Sequence, residues 1–358
     1  MKKQTLCIIG SAGIPSNYGG FETLVHYISK NLSVEYNLFV FCSSKNYSKK
    51  LRKYNGANLI YINLKANGIQ GILYDIISLY KALKISNNII ILGASGTLSL
   101  PILNLFFKNK IIVTNIDGIE WKRDKWGVFE KIILRFSEKI ACKYSNVIVS
   151  DNYVIKDYID KKYNLSSVYI PYGGDHVKFI SNRSDLISFK PKDYAVKVCR
   201  IEPENNVEMV LRAFSKLKKR NLVIVGNWKN SKYGIRLLKN FSHYKNIELL
   251  DPIFDQKELN KLRFNSSIYI HGHSAGGTNP SLVEAMFLNL PILCYDVNFN
   301  RSTTENQAIY FQNSDSLINE LINLKINNSS KMYLHIKRIA ENRYIWEKIS
   351  NSYIKIFN

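Results

Sequence analysis

Short apolar, β-branched runs recur along the chain at residues 6–9, 38–42, 59–62, 89–92, 111–113, 147–149 and 168–170, and again at 195–198, 222–225, 247–250, 268–270, 292–294 and 308–311. Between most of them the apolar positions return every three or four residues, the spacing of an amphipathic helix. Apolar strands that alternate with helices imply parallel sheets covered on both faces, with ligands at the carboxyl ends of the strands. A polar stretch at 173–192 separates the two series and predicts two stacked α/β units, for which 358 residues are ample. The expected division is 1–175, then 176–340, then a closing helix at 341–358 with Trp346, Ile349, Tyr353 and Ile356 on one stripe.

Four junctions in this pattern carry chemistry. In HGHSAGGTNPSLVEAM (271–286) a strand runs through a glycine-rich turn into a helix that begins near Pro280, with Asn279 or Thr278 as cap. Gly276 and Gly277 let the backbone approach a ligand, and the first NH groups of the helix together with its dipole favour an anion, a phosphate or diphosphate. Glu284 lies about one turn inside, placed to accept hydrogen bonds from neutral hydroxyls such as those of a ribose. The alternative is a turn that only packs. A second strand–loop–helix occupies 5–28, with Gly10, Gly13, Gly19 and Gly20 in its loop. That spacing does not fit the dinucleotide fingerprint, and the Lys-Ser/Thr of a P-loop is missing.

The third junction, VCRIEPENN (198–206), places Arg200 between a strand and the helix expected at 207–217. A guanidinium holds a diphosphate through two parallel hydrogen bonds and stabilises it as a leaving group; the competing reading is a surface pair with Glu202 or Glu204. In the fourth, TNIDGIEWKR (114–123), Asp117 ends a strand, where it orients an acceptor hydroxyl or serves as a turn or cap residue.

The 271–286 segment resembles the donor-site signature of retaining glycosyltransferases of family 4, which have the two-domain GT-B fold: an acidic residue, seven others, then a Glu in a helix ending Leu-(Leu/Val)-Glu-Ala-Met. Here the second Glu is Glu284 and the position eight earlier is Gly276, so holding the transferred sugar falls to backbone amides or to His271 and His273. Residues 13–23, GIPSNYGGFET, and DGIEW at 117–121 are similar to segments of a bacterial polysaccharide subgroup, several of whose members are rhamnosyltransferases. Related enzymes carry a basic residue where Arg200 stands and often a Lys a few residues on, where this chain has Asn205 and Asn206.

The resemblance implies an α/β GT-B protein: two Rossmann-like, doubly wound parallel-sheet domains facing a central cleft. The acceptor domain would be 1–175, the nucleotide-sugar domain 176–340, and the closing helix would cross back to the first. It implies retaining transfer of a hexose, rhamnose from dTDP-rhamnose, to a polyprenyl-diphosphate-linked glycan of a capsule or O-antigen, with no cofactor and no metal. By this resemblance Asp117, Arg200 and Glu284 are catalytic. Gly19, Gly20, Arg200, His273, Gly276, Gly277, Thr278, Asn279, Pro280 and Glu284 bind the nucleotide-diphosphate sugar. Three alternatives remain open: another donor such as a UDP-hexose, a sugar-nucleotide epimerase whose acid/base pair is not evident, and a basic lipid- or nucleic-acid-binding protein.

Charge adds a partner. The net charge is +22, and residues 1–150 contribute +12 of it, with 20 Lys and Arg against 8 Asp and Glu. Lys131, Arg135, Lys139 and Lys143 recur every four residues beside Trp126, Phe129, Ile132, Ile133, Phe136 and Ile140, with Trp121, Lys122, Arg123 and Lys125 just before. Such a helix docks on an anionic membrane surface, or is an ordinary amphipathic helix whose apolar face is core. Five Cys without paired or zinc-like spacing fit a reducing compartment. The apolar start before Gly10 is too short for a signal peptide, and the longest apolar stretch, 98–107, is broken by Pro101 and Asn104. The expectation is a cytoplasmic protein held peripherally on the inner face of the membrane, without a nucleic-acid partner.

Overall fold

The computed structural model describes residues 3–16, 19–123, 126–324 and 330–358; Asn17, Tyr18 and Lys125 of the segments above lie outside them. The chain divides into two compact units, one comprising Met1–Tyr172 with Trp346–Asn358 and the other Gly173–Ile345.

The first unit contains β1 (Thr5–Ile9), α1 (Gly20–Glu35), β2 (Asn37–Ser43), β3 (Lys53–Tyr54), β4 (Ala57–Ile62), α2 (Ile69–Ile85), β5 (Asn88–Leu92), α3 (Leu100–Phe106), β6 (Ile111–Ile116), α4 (Val128–Tyr144), β7 (Val147–Ser150), α5 (Tyr153–Tyr163) and β8 (Val168–Tyr169). The second holds β9 (Tyr194–Val198), α6 (Val207–Lys216), β10 (Asn221–Val225), α7 (Lys232–Phe241), β11 (Ile247–Leu250), α8 (Gln256–Phe264), β12 (Ile268–His271), α9 (Pro280–Phe287), β13 (Ile292–Tyr295), α10 (Asn298–Thr303), β14 (Ile309–Phe311), α11 (Ser314–Asn323) and α12 (Ser330–Arg343). The last helix, α13 (Trp346–Phe357), belongs to the first unit.

Strand order is β3-β4-β2-β1-β5-β6-β7-β8 in one sheet and β11-β10-β9-β12-β13-β14 in the other, and the pairings are parallel except β3 with β4. Because successive side chains point to opposite faces, each strand feeds two cores. On β1, Leu6 and Ile8 join one cluster while Cys7 and Ile9 join another. On β10, Val223 and Val225 face one side while Leu222 and Ile224 face the other. This two-sided burial is why the strands read as unbroken apolar runs and why helices cover both faces.

Helix α13 completes the first core. Trp346 stacks on Tyr27 with centroids 5.0 Å apart, and the Tyr353 hydroxyl accepts from Asn115 Nδ2 at 2.7 Å. Its buried stripe ends on Phe357, with Ile356 only partly covered. The closing helix expected at 341–358 is two: residues 341–343 finish α12, and Tyr344, fully buried with its hydroxyl donating to Thr303 O at 2.8 Å, ends that helix before α13 begins.

The topology fixes where ligands are received. Strand order reverses between β1 and β5 in the first sheet and between β9 and β12 in the second, and the crevice at the carboxyl ends of such a strand pair is the usual binding place in open α/β sheets.

Candidate functional site

At the reversal in the second sheet, the loops leaving β9 and β12 are laced together. Asn206 Nδ2 donates to Gly272 O at 2.9 Å, and Ser274 donates to Glu204 O from its amide at 2.8 Å and its hydroxyl at 2.9 Å. A side chain at 272 has no room, since its Cβ would lie 2.5 Å from Asn205 O and 2.6 Å from Lys197 Nζ. Gly276 takes φ +124°, a conformation that glycine adopts without strain. The chain then enters α9, capped by Asn279, whose side-chain oxygen accepts from Ser281 N at 3.0 Å, with Pro280 at the first position. Thr278 is buried beside the cap. Gly276, Gly277, Thr278, Asn279 and Pro280 therefore form one continuous turn onto the amino end of an eight-residue helix.

Glu284 is not an open carboxylate. It is buried, one oxygen is paired with Arg263 Nη2, and the other lies 3.1 Å from His176 Nε2. Burial alone would raise its pKa, but Arg263 and His176 more than offset that and hold it below the usual carboxylate range. The sequence patterns singled out neither His176 nor Arg263. The contact joins positions 108 apart, and no local pattern announces it.

Arg200, on the loop after β9, keeps 42% of its side chain exposed, and Glu202 pairs with it at 3.8 Å. His273 stacks on His271, rings 4.3 Å apart and 14° from parallel, while its carbonyl accepts from Asn300 Nδ2 at 3.0 Å. His271 is the last residue of β12 and fully buried. Among the described residues, neither of its ring nitrogens nor the Nζ of the equally buried Lys197 has a hydrogen-bond partner. Burial, and then the charge of Lys197, push the His271 pKa well down; burial lowers that of Lys197.

In the first unit, Gly19 caps α1 at φ +138°, and a Cβ there would strike the Glu22 carboxylate. Gly20 opens the helix, and Thr23 Oγ1 donates back to Gly19 O at 2.8 Å. Glu22 reaches across the loop and accepts from Ala12 N at 2.6 Å, so a protein carboxylate already takes one amide of this turn. Asp117 stands half-buried just past β6, close enough for its charge to add to the burial that raises the Tyr172 pKa. Asp75 on α2 was not foreseen: it is buried, accepts from Ser95 Oγ at 2.5 Å next to the end of β5, and burial pushes its pKa up to about 7.

Helix α4 runs from Val128, so Trp126 precedes it; its Nε1 donates to Glu120 Oε1 at 3.0 Å. Ile140 and Ala141 are core, whereas Val128, Phe129, Ile132 and Phe136 are 57–80% exposed. Arg135 and Lys139 are exposed beside them and Lys131 is half-covered. On α3, Ile102, Leu105 and Phe106 are exposed as well, and Phe107, the residue after it, meets Tyr80 of α2 edge to face at 6.1 Å. Trp121, Lys122 and Arg123 are tied down. Trp121 Nε1 donates to Glu138 Oε2 at 3.1 Å, Lys122 Nζ lies 5.6 Å over the Trp121 ring, and Arg123 pairs with Glu120 at 2.9 Å.

Residues 178–343 match the family described as "Glycosyl transferases group 1", and residues 3–175 match a domain of unknown function, DUF1972. The O-antigen chain mannosyltransferase RfbU of Salmonella typhimurium is 26% identical over 200 residues, 52% of each chain; the chain thus aligns with about half the length of that curated relative. Sucrose-phosphate synthase from Thermosynechococcus elongatus superposes with a TM-score of 0.80 at 12% identity, covering 99% of this chain and 98% of that one. HepE from Anabaena, solved with UDP and glucose, does so with 0.74 at 13% identity and 99% of both. The chain has the GT-B fold, and its second unit carries the group 1 glycosyltransferase match.

Proposed function

We propose that the protein is a retaining glycosyltransferase that moves a hexose from a nucleotide-diphosphate sugar onto a lipid-diphosphate-linked glycan in surface-polysaccharide synthesis. The observation that carries this reading is the 272–280 turn, which aims a glycine-rich backbone and the amino end of α9 at the reversal point of the second sheet. Arg200, half-exposed on the neighbouring loop, binds the diphosphate and stabilises it as charge develops on departure. A carboxylate has about four lone-pair positions, so Glu284 can bind a ribose hydroxyl through those that Arg263 and His176 leave; the pair fixes its orientation. His273 and the amides of Gly276 and Gly277 contact the transferred sugar.

In the transfer, the acceptor oxygen bonds to the anomeric carbon on the face the leaving group vacates. The bond to the diphosphate oxygen breaks, and the acceptor proton passes to that phosphate. Asp117 positions the acceptor hydroxyl. The Gly19–Gly20 loop is assigned a phosphate-facing role, with Glu22 bracing its shape. No metal or cofactor takes part in the proposal.

The likeness of residues 13–23 and 117–121 to polysaccharide rhamnosyltransferases favours dTDP-rhamnose as donor. A different hexosyl donor is the second reading, favoured by the mannosyltransferase relative. The exposed apolar residues of α3 and α4, with Arg135, Lys139 and Lys131 beside them, suit the headgroup region of an anionic bilayer. Among the described residues no helix is long and apolar enough to cross a membrane, so the association proposed is peripheral, on the inner face.

The test is transfer of radiolabel from dTDP-rhamnose, UDP-glucose and GDP-mannose to membrane lipid, with chelator present. Labelled glycolipid from one of them supports the reading, and from dTDP-rhamnose the finer assignment. No transfer from any nucleotide sugar refutes it, and free epimerised sugar nucleotide would point to the epimerase instead.

A further inference from the structure

Two buried polar side chains flank the strand reversal of the second sheet and have no hydrogen-bond partner among the described residues: Lys197 on β9 and His271 on β12. Both are 0% exposed. β9 and β12 are the neighbouring parallel strands between which a doubly wound sheet receives its ligand. An unpaired ammonium inside a protein is costly, and each such orphan calls for a reason in function or in an absent partner.

Among the described residues, the surroundings of Lys197 supply no such partner. Its charged and titratable neighbours are Cys199 two residues on along β9, Cys294 on β13 and His271 on β12, and burial raises both thiol pKa values, so neither is a ready counter-ion. The ammonium lies against Gly272, where a Cβ would come within 2.6 Å of it and within 2.5 Å of Asn205 O. Gly272 is the first residue after β12 and begins the turn that ends on α9. Lys197 thus places its nitrogen against the root of that turn from within the sheet, at a position where only a glycine fits.

We propose that Lys197 is a second cation for the diphosphate of the bound sugar nucleotide, acting from beneath the turn at Gly272 while Arg200 acts from the loop. The proposal rests on the donor-site reading above. It supplies the missing partner: a phosphate oxygen, brought to the turn by the α9 amides, pairs with the ammonium and keeps it protonated. His271, the other orphan, stands ready to donate to the same group.

The test uses the full-length protein and two readouts, the melting temperature without ligand and the affinity for UDP, dTDP, GDP and inorganic diphosphate by calorimetric titration. Lys197→Met keeps length and removes charge. The expected result is a melting temperature equal to or above that of the wild type, because an unpaired buried cation is gone. Affinity for the nucleoside diphosphate that the wild type binds should fall roughly 10-fold to 100-fold, the range for a lost hydrogen bond to a charged group. His271→Phe should weaken binding in the same direction. Unchanged affinity in Lys197→Met overturns the proposal while leaving the donor site standing. A clear drop in its melting temperature also overturns it, since the ammonium would then be holding the fold. A wild type that binds no nucleoside diphosphate removes the donor-site reading itself.

Discussion

The guanidinium of Arg263 and the carboxylate of Glu284 form a buried ion pair between α8 and α9, with His176 3.1 Å from the other carboxylate oxygen. Breaking a buried pair from one side leaves a charge without compensation, at about 3–5 kcal/mol. Glu284→Gln should therefore destabilise the second unit by that order. The sign with pH follows from the depressed folded pKa of Glu284. Its contribution is complete above the unfolded carboxylate pKa, about 4.3, and disappears as pH falls through the lower folded value. Denaturant titrations should show a constant gap between wild type and variant from pH 7 to 5 and a narrowing gap below; a gap that widens on acidification contradicts the pairing.

Asp75 behaves in the opposite sense. Burial raises its pKa to about 7, so the stability it contributes when protonated is lost as pH rises from its ordinary value of 3.8 towards 7. Asp75→Asn, which cannot ionise, should gain on the wild type across that window at about 1.4 kcal/mol per pH unit and level off above it. Melting curves at pH 5, 6, 7 and 8 check this; a flat difference would mean that Asp75 titrates normally.

Arg200 separates chemistry from stability. Its contact with Glu202 is long and its side chain open to water, so removing it should change the melting temperature little. If it stabilises the leaving diphosphate, Arg200→Ala should lower kcat on the order of 100-fold, with Arg200→Lys between the two. Equal kcat in wild type and Arg200→Ala would make it a bystander.

Phe129 and Phe136 of α4 are exposed and contribute little to the core. Replacing both with Glu should leave the melting temperature near that of the wild type. In flotation with phosphatidylglycerol vesicles, binding should fall at least roughly 10-fold, because each buried Phe is worth about 1.5–3 kcal/mol. Undiminished flotation would remove α4 from the membrane surface.

Much of the fold was open to sequence reading because parallel strands buried on both faces leave an unmistakable trace of short apolar runs, as at 89–92 and 222–225. The turn before α9 was legible too, since Asn279, Pro280 and the paired glycines are local signals. What escaped depends on contacts between distant positions. Nothing near His176 or Arg263 shows that they close on Glu284, and Lys197 reads as one residue of a strand until its neighbours are seen. Helix α4 was ambiguous for a different reason. Periodicity gives an apolar face but not what covers it, and the structure divides that face between core at Ile140 and solvent at Phe129 and Phe136. The Tyr344 break between α12 and α13 carries no glycine or proline to betray it.

In the proposed function, the turn from Gly272 to Pro280 receives a nucleoside diphosphate. Hydrogen exchange with and without saturating dTDP, UDP or GDP tests it most directly. A diphosphate bound there slows exchange of the amides at 276–282, the amino end of α9, together with the loop around Arg200. Protection confined to other segments, or none with any of the three, would contradict it.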